Sequence, residues 1–186
     1  MDIVDHQIIK AAQKRDETSF ALLYKHSSLF VYNVVLRIAG SREDAVEITQ
    51  DVYVKVYNKL PSFAFKSSFK TWLYRIAVNT SLNHIRKRKL SAVPLEDVLT
   101  DHLAYRQYSV DIQNDENQRL LDELLSRLNP ELRCVIVLRE VDGLSYEDIA
   151  LVLKLNINTV RTRIKRAREK LALLYKRREV KDEVRL

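Results

Sequence analysis

The stretch LSYEDIALVLKLNINTVRTRIKRAREKLALL, residues 144–174, carries the most informative pattern of this chain. Ser145 is followed three residues later by Asp148, a spacing typical of a capping box, so a helix of about two turns is predicted to begin there. A break follows, and either Asn156 or Asn158 can cap a second helix. The stretch therefore predicts two helices joined by a tight turn.

The second of these helices has an apolar face and a basic face. Its apolar residues recur at intervals of three and four and form one stripe toward a core: Val160, Ile164, Ala167, Leu171 and Leu174. The opposite face carries one acid, Glu169, and the cations Arg161, Arg163, Lys165, Arg166, Arg168 and Lys170. Because nearly all charges have one sign, salt bridges between turns do not explain them. The pattern favours a helix-turn-helix whose second helix enters the major groove of DNA; a solvated helix face is the alternative.

The composition favours a chain built from helices alone. Its 186 residues are enough for one ordinary domain or two small ones. It holds only 2 glycines and 3 prolines, too few for many strands and turns, so we expect an all-α fold. Its formal net charge of +7 favours an anionic partner. The single cysteine, Cys134, rules out a disulfide within the chain and lies among apolar residues, which predicts a core position.

Several classes of protein need residues that this sequence does not contain. No apolar run approaches the roughly 20 residues of a membrane span, and the first residues do not resemble a signal peptide. We therefore expect a cytoplasmic protein without membrane insertion. There is no nucleophile constellation and no glycine-rich phosphate loop, and the histidines have no cysteine partners at metal-ligand spacing, so we expect no enzyme, no metal and no cofactor. The four histidines are His6, His26, His84 and His102.

Four helices are predicted in the N-terminal half of the chain. Gly40 suits the left-handed position after a helix, Ser41 suits the cap of the next one, and Pro61 stops that helix. The predicted limits are residues 2–15, Thr18 or Ser19 to Gly40, Ser41 to Pro61, and about Thr71–Lys89.

The third predicted helix has an exposed face rich in acids and amides, which is unusual in a basic protein and poorly suited to DNA. Its members are Glu43, Asp44, Glu47, Gln50 and Asp51. Either these residues only keep the chain in solution, or they bind a protein partner that has a basic surface.

The loop after Pro61 interleaves phenylalanine with lysine and serine, the mixture that stacks unpaired bases and holds phosphates. Its aromatic residues are Phe63, Phe65 and Phe69. The alternative is that the rings fill the core, and for Phe63 and Phe69 this interpretation is at least as strong.

The fourth predicted helix carries a polar stripe on a largely apolar surface. Arg75, Asn79, Asn83 and Arg86 recur at helical spacing, and amides flanked by cations suit recognition of a single strand. Trp72, near the start of this helix, is predicted to lie in the core.

The C-terminal half begins after a segment without apolar periodicity. Residues 91–118 hold six acids against one base and are predicted to be a flexible linker. Helices are then predicted near Arg119–Leu128 and, capped by Asn129, as far as Val141. After Leu174 the apolar pattern ends, and the tail is predicted to fray. The predicted organisation is thus two small helical domains, residues 1–90 and 119–186, joined by the linker.

Three segments together resemble one protein family. They are SREDAVEITQDVYVKVY (residues 41–57), SFKTWLYRIAVNTSLNHIRKRK (68–89) and LNPELRCVIVLREVDGLSYEDIALVLKLNINTVRTRIKRAREKL (128–171). They are similar, in the same order, to regions 2 and 4 of the extracytoplasmic-function (ECF, group 4) sigma factors of the sigma-70 family. This resemblance implies an alternative-sigma transcription initiation factor that binds core RNA polymerase and promoter DNA and is held by an anti-sigma factor.

The resemblance also implies roles for individual residues. It places Asp44, Glu47, Gln50 and Asp51 against the coiled coil of the polymerase β′ subunit, with the β subunit as a further partner. The residues implied at the melted −10 element are Phe63, Phe65, Lys66, Ser67, Arg75, Asn79, Asn83 and Arg86. Those implied at the −35 duplex are Arg139, Tyr146, Asn158, Thr159, Arg161, Thr162, Lys165 and Arg166.

Two positions depart from the family pattern. Phe65 and Lys154 stand where relatives often have glycine, so the conformation of the loop is expected to differ at Phe65. A left-handed conformation at Lys154 is expected to cost on the order of 1 kcal/mol.

Two other classes of function are alternatives to a sigma factor. A free-standing helix-turn-helix regulator would bind duplex DNA as a dimer, but it has no use for the acidic helix or the aromatic loop. A helical nucleic-acid-processing enzyme would need paired catalytic carboxylates near the basic surfaces, and the sequence has none there.

Overall fold

A computed structural model describes residues 4–91 and 116–183, and within these ranges every regular element is helical. The α-helices are α1 (His6–Gln13), α2 (Glu17–Ala39), α3 (Arg42–Lys59), α4 (Phe69–Ser91), α5 (Glu116–Ser126), α6 (Pro130–Ile136), α7 (Tyr146–Leu153) and α8 (Ile157–Glu183). The all-α prediction is confirmed. Most of the predicted linker, residues 92–115, and His102 with it, lie outside the described residues, whereas Ser91 ends α4 and Glu116 already begins α5.

The described helices form two compact units, the first made mainly of α1–α4 and the second mainly of α5–α8. In the first unit α2 packs against α1, α3 and α4. Its apolar core includes Ile9, Leu23, Val31, Ile48, Val52, Val56 and Leu73. In the second unit α8 packs against α6 and α5. None of the helices in the described ranges is both long and apolar enough to span a membrane.

Helix starts and ends in the first unit follow local hydrogen bonding. Helix α2 is capped by Asp16, whose carboxylate accepts a 2.7 Å hydrogen bond from the Ser19 N–H, so the predicted start at Thr18 or Ser19 was too late. Gly40 ends α2 at φ +79°, and the Ser41 hydroxyl accepts from the Asp44 N–H at the start of α3, both as predicted.

In the second unit the predicted caps are confirmed. Asn129 Oδ1 accepts from the Leu132 N–H at 2.8 Å with Pro130 in the first turn of α6, and Ser145 Oγ accepts from the Asp148 N–H at 3.0 Å at the start of α7. After Ile136 the helix continues as a π-helical turn, Val137–Val141.

The turn between α7 and α8 contains a left-handed lysine. Lys154 adopts φ +54° and ψ +44°, the left-handed conformation for which the sequence analysis expected an energetic cost. Of the two asparagines that could cap α8, Asn156 does so, because its Oδ1 accepts a 2.8 Å hydrogen bond from the Asn158 N–H. The two helices and the turn form the predicted helix-turn-helix.

The predicted fraying after Leu174 is wrong, because α8 continues to Glu183. The tail is rich in lysine, arginine and glutamate, which are good helix formers. In addition, Arg178 Nη1 on α8 lies 3.0 Å from Glu123 Oε2 on α5. A local apolar pattern was therefore not needed to continue this helix.

Candidate nucleic-acid and polymerase interfaces

Helix α8 presents a polar, cationic face beside its buried stripe. Val160, Ile164 and Ala167 are buried as predicted. The predicted −35 residues Asn158, Arg161, Thr162, Lys165 and Arg166 are exposed, and Thr159 is half-buried. Four of them line one surface depression together with Arg163: Asn158, Thr159, Thr162 and Arg166. Exposed cations and hydroxyls at the first turns of a helix are suited to the phosphates and base edges of a major groove.

Two arginines that the sequence assigned to this basic face are paired with acids of the neighbouring segments. Arg163 lies 2.7 Å from Glu131 on α6, and Arg168 Nη2 lies 2.5 Å from Glu140 in the π-helical turn. The hydrogen bond to Glu140 raises the pKa of the Arg168 guanidinium. Both arginines are therefore engaged by acids of the same unit, although Arg163 also lines the depression described above.

Arg139 and Tyr146, implied near the −35 phosphates, form one contact pair. The Arg139 guanidinium lies 4.8 Å from the centre of the Tyr146 ring and donates a 2.8 Å hydrogen bond to the Leu144 carbonyl. Both side chains are half-buried. The stacked ring and the carbonyl hold this cation in place, which suits it to a fixed phosphate contact.

The aromatic loop between α3 and α4 encloses a cluster of rings. The Phe63 ring centre lies 4.7 Å from that of Phe65 and 5.0 Å from that of Trp72, and Phe69 and Trp72 are also in contact. Phe63 is only 5% exposed and Phe69 is buried, which favours the core role that the sequence had left open for both. Trp72 packs against the core, as predicted.

Phe65, Lys66 and Ser67 form the accessible part of the loop. Phe65 is half-buried and adopts φ +54°, so a phenylalanine occupies a left-handed position that glycine favours. Lys66 is exposed and Ser67 is half-buried.

The polar stripe of α4 begins one turn after Trp72. Asn79 Nδ2 donates a 2.7 Å hydrogen bond to the Arg75 carbonyl, which orients the amide, and both residues are half-buried. Asn83 and Arg86 are exposed, with Arg86 Nη1 3.4 Å from Asn83 Oδ1. Amides and cations thus follow the aromatic loop along one helix, an arrangement able to bind an unpaired strand.

The acidic face of α3 divides into two parts. Gln50 and Asp51 are exposed, and Glu47 is exposed beside His84. Asp44 is half-buried and accepts a hydrogen bond from Arg88 of α4. The sequence did not predict the contact between Asp44 and Arg88, because only the packing of α3 against α4 brings these residues together.

The sequence analysis also did not identify two apolar side chains that lie on the exposed face of α3. Val46 is 50% exposed and Val54 is 61% exposed. Their spacing of eight residues, with Gln50 between them, is the signal that could have identified them.

The comparisons with known proteins agree with this geometry. Residues 23–90 match the family described as Sigma-70 region 2, and residues 118–171 match Sigma-70, region 4. The RNA polymerase sigma-H factor of Pseudomonas aeruginosa is 36% identical over 178 residues, which cover 89% of this chain and 90% of that protein. The ECF RNA polymerase sigma-E factor of Escherichia coli (strain K12) is 36% identical over 176 residues, covering 90% of this chain and 92% of that protein.

A solved structure is similar over most of the chain. The sigma factor RpoE from Bartonella quintana, crystallised in complex with the anti-sigma factor NepR, aligns with a TM-score of 0.68 at 25% identity, covering 84% of this chain and 96% of that one. Two family matches in the expected order do not favour the free-standing regulator. The chain belongs to the extracytoplasmic-function group of the sigma-70 family, the RNA polymerase sigma factors that act in transcription initiation.

Proposed function

We propose that this sigma factor divides promoter recognition between its two helical units. The unit of α5–α8 binds the −35 element as duplex, and the unit of α1–α4 binds core RNA polymerase and the unpaired −10 strand. The proposed domains are residues 1–90, as predicted, and residues 116–186, which begin three residues earlier than predicted because α5 begins at Glu116. Because the proposed partners are RNA polymerase and promoter DNA, we expect the protein to act in the cytoplasm. Its proposed role is that of an initiation factor without catalytic activity of its own.

The −35 contacts are proposed for the exposed face of α8. Arg161, Lys165 and Arg166 offer cations, and Asn158, Thr159 and Thr162 offer amide and hydroxyl groups. Arginine reads guanine by two parallel hydrogen bonds, whereas Lys165 suits either a base edge or a phosphate. Arg139 and Tyr146 are proposed to contact the phosphate backbone beside this helix.

The −10 contacts are proposed for the accessible part of the aromatic loop and for the stripe of α4. Opening the duplex costs about 1.4 kcal/mol per base-pair step, and binding of an unstacked base by Phe65, Lys66 and Ser67 offsets part of that cost. Along α4 the proposed contacts are Arg75, Asn79, Asn83 and Arg86. Phe63 supports this surface from the core.

Polymerase binding is proposed for the exposed face of α3. Glu47, Gln50 and Asp51 would meet a basic surface on the coiled coil of the β′ subunit, and the β subunit is a further proposed partner. The related RpoE was crystallised with an anti-sigma factor, and we propose that this chain is also held by one.

The observation that carries the proposal is the coexistence of two surfaces of opposite charge in one small protein. Exposed acids on α3 are unsuited to DNA, whereas the exposed face of α8 is cationic. A protein that only bound duplex DNA would need the cationic face of α8 but not the acidic face of α3.

The experiment combines the purified chain, core RNA polymerase and a pool of linear promoter fragments. We expect specific transcripts and a footprint over −35 and −10 only when all three are present. Permanganate reactivity of thymines should report melting at −10. Protection of palindromic duplex sites by the chain alone at physiological salt, without new transcripts, would contradict the proposal.

A further inference from the structure

Helix α1 contacts the aromatic loop although it lies outside residues 23–90, the part that matches Sigma-70 region 2. Gln13 Nε2 at the end of α1 donates hydrogen bonds to the carbonyl oxygens of Leu60, at 3.1 Å, and of Phe63, at 2.7 Å. These residues lie 47 and 50 positions further along the chain. One amide therefore spans the start of the loop.

The two bonds act on the part of the loop that needs support. The Leu60 carbonyl also accepts from the Phe63 N–H, so these groups define the 3-10 turn from which the loop departs. Two residues later Phe65 adopts a left-handed conformation that residues with a side chain rarely occupy. Only a side chain with two N–H donors on one nitrogen, such as this amide, can serve both carbonyls through a single neutral group.

A second contact from α1 reaches the accessible part of the loop. The His6 ring meets the Phe65 ring edge-on, with their centres 4.8 Å apart. Gln13 and His6 are the last and first residues of α1, so this short helix supports the loop at its start and at its exposed ring.

We propose that Gln13 is a positioning residue for capture of the unpaired −10 strand, acting through the backbone of Leu60 and Phe63. This inference rests on the proposed function of the loop. The amide sets the position of the turn, the turn sets the left-handed backbone at Phe65, and that backbone decides where Phe65, Lys66 and Ser67 meet a base. A displacement of this backbone would therefore weaken binding of the strand even when the contacting side chains are intact.

The test uses two substitutions of Gln13 in the full chain. Gln13→Glu keeps the shape but replaces the donating nitrogen with an oxygen, and Gln13→Met keeps the length without charge or donors. Gln7→Glu and Gln7→Met are the matched controls, because Gln7 is an exposed residue of the same helix. A promoter selected from a random pool by the wild-type chain with core polymerase supplies the probes.

Three binding measurements and one spectroscopic signal are compared for each variant. The first probe is the single non-template strand over the −10 element, bound by the reconstituted holoenzyme, with a scrambled strand beside it. The second is the −35 duplex, and the third is core polymerase itself. Trp72 is the one tryptophan of the sequence and its ring lies 5.0 Å from that of Phe63, so its fluorescence and acrylamide quenching report the loop directly.

We expect both Gln13 variants to bind the −10 strand about tenfold more weakly, with increased quenching of Trp72. Their affinities for the −35 duplex and for core polymerase should equal those of the wild type and of the Gln7 controls. Unchanged strand affinity in either folded Gln13 variant would overturn the inference, as would an equal loss at all three probes, which indicates a merely structural role. A wild-type holoenzyme that does not distinguish the −10 strand from the scrambled one would instead overturn the proposed function.

Discussion

Arg88 Nη1 donates a 2.7 Å hydrogen bond to Asp44 Oδ2 and so ties the basic end of α4 to the first turn of α3. His84, one turn earlier on α4, lies 3.4 Å from the other oxygen of the same carboxylate. The Asp44 side chain is only 16% exposed. An acid that the sequence pattern assigned to the partner-binding face is therefore engaged within its own domain, and Asp51 is the better probe of that face.

Asp51→Arg is expected to lower the affinity for core polymerase by about tenfold or more, because it places a cation against a basic partner surface. The free energy of unfolding should stay within about 0.5 kcal/mol, since Asp51 is exposed. Fluorescence anisotropy with labelled chain and circular dichroism measure the two quantities. Glu17→Arg, an equal change of charge at an exposed site on α2, is the control. Equal polymerase affinity for wild type and Asp51→Arg would show that this face is not the docking surface.

Asp44→Asn is expected to act mainly on stability. It removes the ion pair with Arg88, whose side chain is 52% exposed, so solvent screening limits the loss to about 1 kcal/mol or less. Urea denaturation measures this loss. The affinity for core polymerase should fall less in Asp44→Asn than in Asp51→Arg. A larger loss in Asp44→Asn would indicate that Asp44 belongs to the docking surface.

Arg166→Ala and Arg163→Ala are expected to separate DNA contact from helix packing. Arg166 is exposed on α8, and its removal should weaken binding of the −35 duplex by about 1–3 kcal/mol with little effect on unfolding. Arg163 is paired with Glu131, so its removal should lower stability by up to about 1 kcal/mol. Anisotropy titrations of the labelled −35 duplex with each variant, at several salt concentrations, measure the DNA affinity. Thermal melts of each variant measure the stability. Similar effects of the two substitutions on DNA affinity would contradict this division.

Lys154→Gly is expected to stabilise the second unit by about 0.5–1 kcal/mol. The left-handed backbone at φ +54° costs a lysine energy that glycine does not incur, and the greater freedom of glycine in the unfolded chain cancels only part of the gain. Lys154→Ala is the control, because alanine meets the same backbone restriction and should leave the melting temperature nearly unchanged. A destabilised glycine variant would mean that the lysine side chain makes a compensating contact.

Alkaline pH is expected to destabilise both units. Burial raises the pKa of the Cys134 thiol to about 12 from 9.0, and burial raises the pKa of Tyr53 to about 12 from 10.0. The native state therefore holds these protons more tightly than the unfolded chain does. The resulting stability is fully present below the unfolded pKa and is lost as pH rises toward the native one, by up to about 1.4 kcal/mol per pH unit for each group.

Urea denaturation at pH 8, 9, 10 and 11 measures this effect. Cys134→Ala should reduce the slope between pH 9 and 11, and Tyr53→Phe should reduce it between pH 10 and 11. Each slope is compared within one variant, because Tyr53→Phe also removes the 2.7 Å hydrogen bond between the Tyr53 and Ser27 hydroxyls. If neither substitution changes the slope, the loss of stability at alkaline pH arises from other groups.

The sequence was enough to predict the helices, several of their caps and the family, although α1, α4 and α5 begin and end two or more residues from the predicted limits. The caps at Ser41, Asn129 and Ser145 and the buried stripe through Val160 and Ile164 follow from interactions three or four residues apart, which a sequence displays directly. The basic face of α8 and the acidic face of α3 were visible for the same reason.

Which of these charged and aromatic residues remain available to a partner depends on how the helices and the loop pack. Arg163 meets Glu131, Arg88 meets Asp44 and Phe63 is covered by Phe65, Phe69 and Trp72. Gln13 reaches Leu60 and Phe63 from another helix. The physical reason is that hydrogen bonds and ion pairs of 2.7–3.1 Å depend on how helices pack, and residues 32 to 50 positions apart carry no local signal of that packing.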